Sequence, residues 1–297
     1  MATTAAAKPT SRQTYDITIE DVAYRHDGAT PIMAKLFKPK GIGPFPIMVD
    51  LHGGAWCNSD RTADDMINEA LARSGVVVAA IDFRMPPAAA YPGSLADIHY
   101  GVRWMKARAK QLNANAAKVG IMGSSSGGHQ AMLIGMRPND PRYGAHKLES
   151  GAGIDARVQC VVMMWPVIDP LGRYQYAKKI VAAGGKEAEE VGRVLPSHDK
   201  FWKTEAAMAE GAPANALEAG EKVDLPPSLV VQGSADKMHP RDQLDRFTAA
   251  YKKRGGHIEV EMYAGEISGF ITRSAANPAN MANGTERVIA FVHKHLG

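Results

Sequence analysis

Hydrophobic and polar positions along this chain switch repeatedly between two rhythms. Residues 15–24 alternate and read as a strand, His26-Asp27-Gly28 makes a turn, and residues 31–37 return as a second strand. A Pro- and Gly-rich loop covers residues 38–46. Residues 47–51, 76–81, 118–122 and 158–167 are short apolar runs that read as largely buried strands, residues 257–263 read as the last strand, and residues 228–236 read as a strand, a glycine turn and a carboxylate. Between them lie helical stretches. Residues 59–74 open on a Ser/Asp cap signal and close near Gly75, and residues 94–111 offer Leu95, Ile98, Val102, Trp104 and Met105 to one face. His129 to Met136 reads as the first turns of another helix, and a last one carries His293 and His295. Strand–helix alternation predicts an α/β fold, a mostly parallel sheet with helices on both faces.

The rhythm breaks over residues 170–225, which are rich in Ala, Lys, Glu and Gly, with helical patches around 174–183 and 202–209. The expected organisation is an N-terminal disordered arm (1–12), a core assembled from residues 13–169 and 226–297, and an insertion at 170–225. Residues 1–12 have no apolar segment of the secretory type.

Two glycine motifs carry the candidate chemistry. Gly123-Ser124-Ser125-Ser126-Gly127 lies between a strand and a helix, the pattern of a nucleophile elbow, in which the central serine is held at a sharp turn with its hydroxyl exposed. The other, His52-Gly53-Gly54-Ala55-Trp56, follows the strand at residues 47–51. Acyl transfer needs backbone N–H groups aimed at the developing oxyanion, and glycines let main chain come close. The elbow supplies Ser126 N–H, and the His-Gly-Gly loop supplies the rest. Asp236, after a late strand, is the candidate acid that orients an imidazole, with Asp169 as the alternative.

With these motifs, together with Ile81-Asp82-Phe83-Arg84, Tyr91-Pro92 and Asp97, the chain resembles the α/β-hydrolase superfamily. Within it, the resemblance is to carboxylesterases of the hormone-sensitive-lipase and feruloyl-esterase-like branch, from about residue 15 to the C-terminus. It implies oxyanion donors at Gly54 and Ala55, and a helical cap at 170–225 over the site. Trp56 and Trp202 are the candidate substrate-binding residues, with Phe201, Tyr174 and Tyr176 as further candidates for a pocket wall. It also implies a catalytic histidine in a His-Gly-Phe context after the last strand. Here that position is Ser268, in Ser268-Gly269-Phe270, and a serine hydroxyl is not basic enough to deprotonate Ser125.

The other histidines read as poorly placed. His52 braces its loop, His129 points down its helix, His257 lies at the far end of its strand, and His293 and His295 sit on the terminal helix. His239, three residues after Asp236, is the one stand-in. The expectation is therefore a serine esterase with Ser125, Asp236 and the Ser268 position as its catalytic set, impaired by the missing imidazole. Two alternatives stand beside it: a non-catalytic ligand-binding homologue, as in gibberellin receptors, which resemble this branch and lack the same histidine, and a formamidase or amidase on the same scaffold.

Composition adds exclusions. The chain has 297 residues, 45% hydrophobic, enough for a sizeable core, and a net charge of +4 with its basic residues scattered, so no nucleic-acid partner is expected. No run approaches the ~18 apolar residues of a membrane span. Cys57 and Cys160 match no zinc pattern, and so few thiols fit a reducing, cytoplasmic setting. No metal or organic cofactor is expected. The expected partner is a small-molecule ester substrate or ligand, with homodimer formation left open.

Overall fold

The alternating and continuous apolar runs are sorted by the sheet they build. In a computed structural model, which describes residues 14–149, 151 and 153–297, eight strands are ordered β1-β2-β4-β3-β5-β6-β7-β8. They are β1 (Ile17–Asp27), β2 (Thr30–Pro39), β3 (Phe45–Leu51), β4 (Val77–Ile81), β5 (Ala114–Ser124), β6 (Val161–Met164), β7 (Ser228–Gly233) and β8 (Ile258–Tyr263). β1 and β2 form an antiparallel hairpin, and β2 joins β4 antiparallel. Every other pairing is parallel. This is an α/β-hydrolase fold. The expected disordered arm lies outside the described residues.

Both faces of the parallel strands are covered, which is why they read as continuous apolar runs. Along β3 and β4, Ile47, Val49, Val77 and Ala79 face α2 (Gly93–Arg108) and α3 (Ser126–Met136), in one apolar cluster that continues along the sheet to Leu244 and Phe247 of α9 (Arg241–Lys253). Met48, Val78 and Ala80 point the other way, to Ile67 and Leu71 of α1 (Asp65–Arg73) and to Val288 and Val292 of α10 (Pro278–Leu296). The helix expected over 59–74 is confined to α1. Asp60 Oδ1 accepts from the Thr62 amide at 2.8 Å, and Asp82 holds the Arg61 amide and guanidinium, both at 2.8 Å, so the preceding residues turn instead.

Asp82, Arg84 and Asp97 have structural roles. The fully buried Asp97 carboxylate accepts from Arg84 at 2.9 Å and from Arg25 at 2.8 Å, tying α2 to the hairpin.

Residues 170–218 form five short helices: α4 (Pro170–Ala183), α5 (Lys186–Gly192), α6 (Leu195–Trp202), α7 (Glu205–Glu210) and α8 (Pro213–Glu218). Asp169 caps α4 by accepting from the Gly172 amide, and Thr204 caps α7. Asp169 also pairs with Arg246 at 3.0 Å, so this alternative acid is engaged in holding elements together.

Candidate active site

Ser125 sits between β5 and α3 with φ 51° and ψ −115°, a conformation a non-glycine residue rarely adopts. The turn tolerates this because Gly127 lies where a Cβ would stand 2.0 Å from the Leu51 carbonyl oxygen. The strand ends of β3 and β5 are thereby drawn together, and the loop after β3 lies beside the serine.

That loop is itself strained. Gly54, Ala55 and Trp56 have φ of 97°, 50° and 62° in succession. At Gly54 a Cβ would lie 2.0 Å from the Asn58 carbonyl oxygen. The Trp56 amide donates to Ser126 Oγ at 3.1 Å, stitching the loop to the start of α3. Ser126 is the first residue of α3, so its own N–H has no intrahelical acceptor. Gly54, Ala55 and Ser125 all line one cleft of about 760 Å³. His52 stacks on Phe83 at 4.3 Å, bracing the loop from beneath.

His239, named from the sequence only as a stand-in, is the imidazole that reaches Ser125, which corrects the expectation of a site left without one. Its Nε2 is 2.9 Å from Ser125 Oγ, and its Nδ1 is 2.8 Å from Asp236 Oδ2. An ionised carboxylate only accepts, so Nδ1 donates and Nε2 is left with a lone pair toward the serine. The local fold explains the reach. After β7 the chain turns at Gly233, and the Met238 amide donates to Asp236 Oδ1 at 2.9 Å, curling residues 236–239 back on themselves. Gln232 then holds the His239 carbonyl at 2.8 Å. The two side chains are nearly buried, 4% exposed for His239 and 1% for Asp236.

Ser268 lies in the loop after β8 and lines the same cleft, but among the described residues it forms no hydrogen bond to Ser125 or Asp236. The imidazole comes from the loop after β7. Asp236 lies behind His239, where the sequence reading expects it behind Ser268.

The proposed wall residues Trp56 and Trp202 are also corrected. They are 1% and 2% exposed, and neither lines the cleft. Trp56 stacks on Phe201 with centroids 5.4 Å apart and meets Trp202 edge-on at 5.4 Å, forming an apolar cluster that fastens the 170–218 helices to the body. Tyr174 and Tyr176 lie outside the cleft as well, bonded to Asp199 and Glu187. His129 belongs to the same fastening: its Nδ1 accepts from Trp56 Nε1 at 3.3 Å and its Nε2 donates to the Gly211 carbonyl at 2.7 Å. Burial pushes its pKa down to about 4, so it stays neutral.

Two cleft residues had no sequence signal. Asp64, next to α1, accepts from Ser124 Oγ at 2.7 Å, and burial raises its pKa to about 6. Arg173, on α4, is 2% exposed. No group of three or more His, Cys, Asp or Glu suited to a metal ion occurs among the described residues.

A family model, BD-FAE, matches residues 35–251, which include Ser125, Asp236 and His239. The chain belongs to the BD-FAE family. It falls in the carboxylesterase branch of the α/β-hydrolases, as the resemblance implied. Among curated relatives, esterase LipC of Mycobacterium tuberculosis is 26% identical over 261 residues, covering 84% of this chain and 59% of that protein. The carboxylic ester hydrolase LipM of the same organism, itself given as probable, is 25% identical over 206 residues, covering 69% and 44%. The chain therefore spans roughly half of these relatives' length. Among solved structures, butyrate-bound esterase 2 of Thermogutta terrifontis aligns with a TM-score of 0.72 at 22% identity, covering 93% of this chain and 94% of that one. An esterase from Pyrobaculum calidifontis aligns with a TM-score of 0.73 at 19% identity, covering 95% and 88%. These two likenesses concern the fold. No helix among the described residues is long and apolar enough to cross a membrane.

Proposed function

We propose that this chain is a carboxylic ester hydrolase with Ser125 as nucleophile, His239 as general base and Asp236 as the acid that orients it. The observation that carries this reading is the continuous chain of contacts from Asp236 Oδ2 through the His239 ring to Ser125 Oγ, 2.8 and 2.9 Å long. The curated relatives named as ester hydrolases support the reaction class.

In this mechanism His239 Nε2 takes the Ser125 proton as Oγ attacks the ester carbonyl carbon. The imidazolium is stabilised by the buried Asp236 carboxylate. The carbonyl oxygen, now negative, accepts from the Gly54, Ala55 and Ser126 amides, which the strained loop and the α3 start hold in advance. His239 then returns the proton to the departing alcohol. A water, deprotonated by the same imidazole, cleaves the acyl-enzyme. The 170–218 helices serve as a cap, fastened by Trp56, Phe201 and Trp202. With an imidazole at hand, the impairment inferred from Ser268 loses its ground.

Hydrolysis of short p-nitrophenyl esters tests the reading. The chain is expected to turn them over, and Ser125→Ala to abolish turnover while thermal unfolding stays close to that of the parent. Activity that survives Ser125→Ala refutes the site. An amide substrate turned over in preference to every ester would favour the amidase alternative.

A further inference from the structure

The cleft contains a buried cation that forms no direct ion pair among the described residues; its nearest counter-charge, Asp236, acts on it only at a distance. Arg173 lines the cleft together with Ser125 and His239 and is 2% exposed. Its orientation is fixed by two contacts. Nε donates to His198 Nε2 at 3.5 Å, and the guanidinium carbon lies 5.2 Å from the centre of the Trp56 ring. His198 Nδ1 donates to the Val194 carbonyl at 2.9 Å, which leaves its Nε2 as the acceptor that Arg173 needs. The other end of the guanidinium is unused: Nη2 is buried and has no hydrogen-bond partner among the described residues.

The exception is informative because this molecule pairs the comparable residue. Arg137, the other buried arginine among the described residues, is held by Glu210 at 2.9 Å and Glu221 at 2.7 Å. The acids near the Arg173 cleft are engaged elsewhere, Asp64 by Ser124 and Asp236 by His239 and the Met238 amide. Glu190 is exposed, as are the cleft arginines Arg193 and Arg273, so all three are solvated. A buried guanidinium with an idle N–H is costly unless an anion completes it. A planar carboxylate matches it in charge and geometry.

We propose that Arg173 recognises a free carboxylate on the substrate, so that the esters taken by this cleft are anionic. This rests on the esterase reading above and names its substrate class. The carboxylate could be carried on the acyl side, as in a half-ester of a short dicarboxylic acid, or on the alcohol side, as in an ester of a hydroxy acid.

Two matched pairs of substrates separate these. On the acyl side, p-nitrophenyl hydrogen glutarate is compared with p-nitrophenyl 5-methylhexanoate, in which an isopropyl group replaces the carboxylate. For the alcohol side, acetoxyacetate is compared with isobutyl acetate. The measured quantity is the ratio of kcat/KM, anionic over neutral. The parent is expected to favour the anionic member of at least one pair. In Arg173→Met the ratio for that pair is expected to fall about 30-fold or more, the loss that follows truncation of one partner of a buried charge pair. Arg173→Lys, which keeps the charge without the fork, is expected to recover part of it. A parent ratio at or below one in both pairs overturns the proposal without any variant, as does a ratio that Arg173→Met leaves unchanged. If neither member of either pair is hydrolysed, it is the esterase reading that fails. Calorimetric binding of glutarate then tests Arg173 alone: about tenfold or greater weakening in Arg173→Met supports it, and equal binding overturns it.

Discussion

Asp64 lies one hydrogen bond from Ser124, the residue before Ser125, and its burial has a measurable consequence. Its carboxyl is 3% exposed, and loss of solvation raises its pKa from 3.8 to about 6 against the opposing pull of the Ser124 hydroxyl. Asp50 beside it is raised as well, by burial first and by the Asp64 charge second. A group whose pKa is higher in the folded state binds its proton more tightly there, so it stabilises the fold most below pH ~3.8 and loses that contribution as pH rises through ~6. At ~1.4 kcal/mol per pH unit of displacement, and with the unfolded carboxyl already half ionised near pH 4, the Asp64 contribution falls by ~2 kcal/mol between pH 4 and pH 7. Asp64→Asn keeps an oxygen to accept from Ser124 and removes the titration. Urea unfolding at a series of pH values is the assay, read as the difference between variant and parent. The difference is expected to move in favour of the variant by ~2 kcal/mol between pH 4 and pH 7. Two parallel curves, offset by a constant amount, would refute the reasoning, because they would mean that Asp64 titrates alike in the folded and unfolded chains.

Asp236→Asn is expected to lower kcat about 10⁴-fold by presenting the wrong imidazole tautomer to Ser125, with the fold retained by circular dichroism. A loss below about tenfold would remove Asp236 from the mechanism. Trp202→Ala should destabilise by ~3–5 kcal/mol in denaturant unfolding, since the ring is buried against Trp56, Phe201 and His129. A loss under ~1 kcal/mol would mean that the ring contributes little packing and would return it to the cleft wall.

The sheet and its helices were legible because parallel strands buried on both faces leave continuous apolar runs such as 47–51 and 76–81, and their period is a property of the chain itself. The elbow and the His-Gly-Gly loop were legible for a related reason: the closeness of Gly127 to Leu51 and of Gly54 to Asn58 excludes any side chain and so leaves a glycine signature. His239 was visible only as a stand-in. Its reach depends on the turn that the Met238 amide closes on Asp236, and neither spacing nor composition encodes that bond. Trp56 and Trp202 illustrate the converse difficulty. An aromatic ring next to an active-site motif serves equally well as a wall or as a fastener, and which it becomes is decided by the partners Phe201 and His129, which come from distant parts of the chain. Arg173 and Asp64 left no trace because a charged residue in a helical stretch looks solvated until tertiary packing covers it.

The central claim is that the imidazole of His239 is the base for Ser125. Its most direct test is the steady-state rate of His239→Gln on a short p-nitrophenyl ester, beside the parent and under conditions in which both are folded. Glutamine fills the space between Ser125 and Asp236 but cannot take the serine proton at neutral pH. The account expects kcat to fall by about 10⁴-fold or more, to the residue of activity that oxyanion donors and binding alone sustain. A variant that keeps its rate within about tenfold of the parent would contradict the account and send the search for the base back to the loop that carries Ser268.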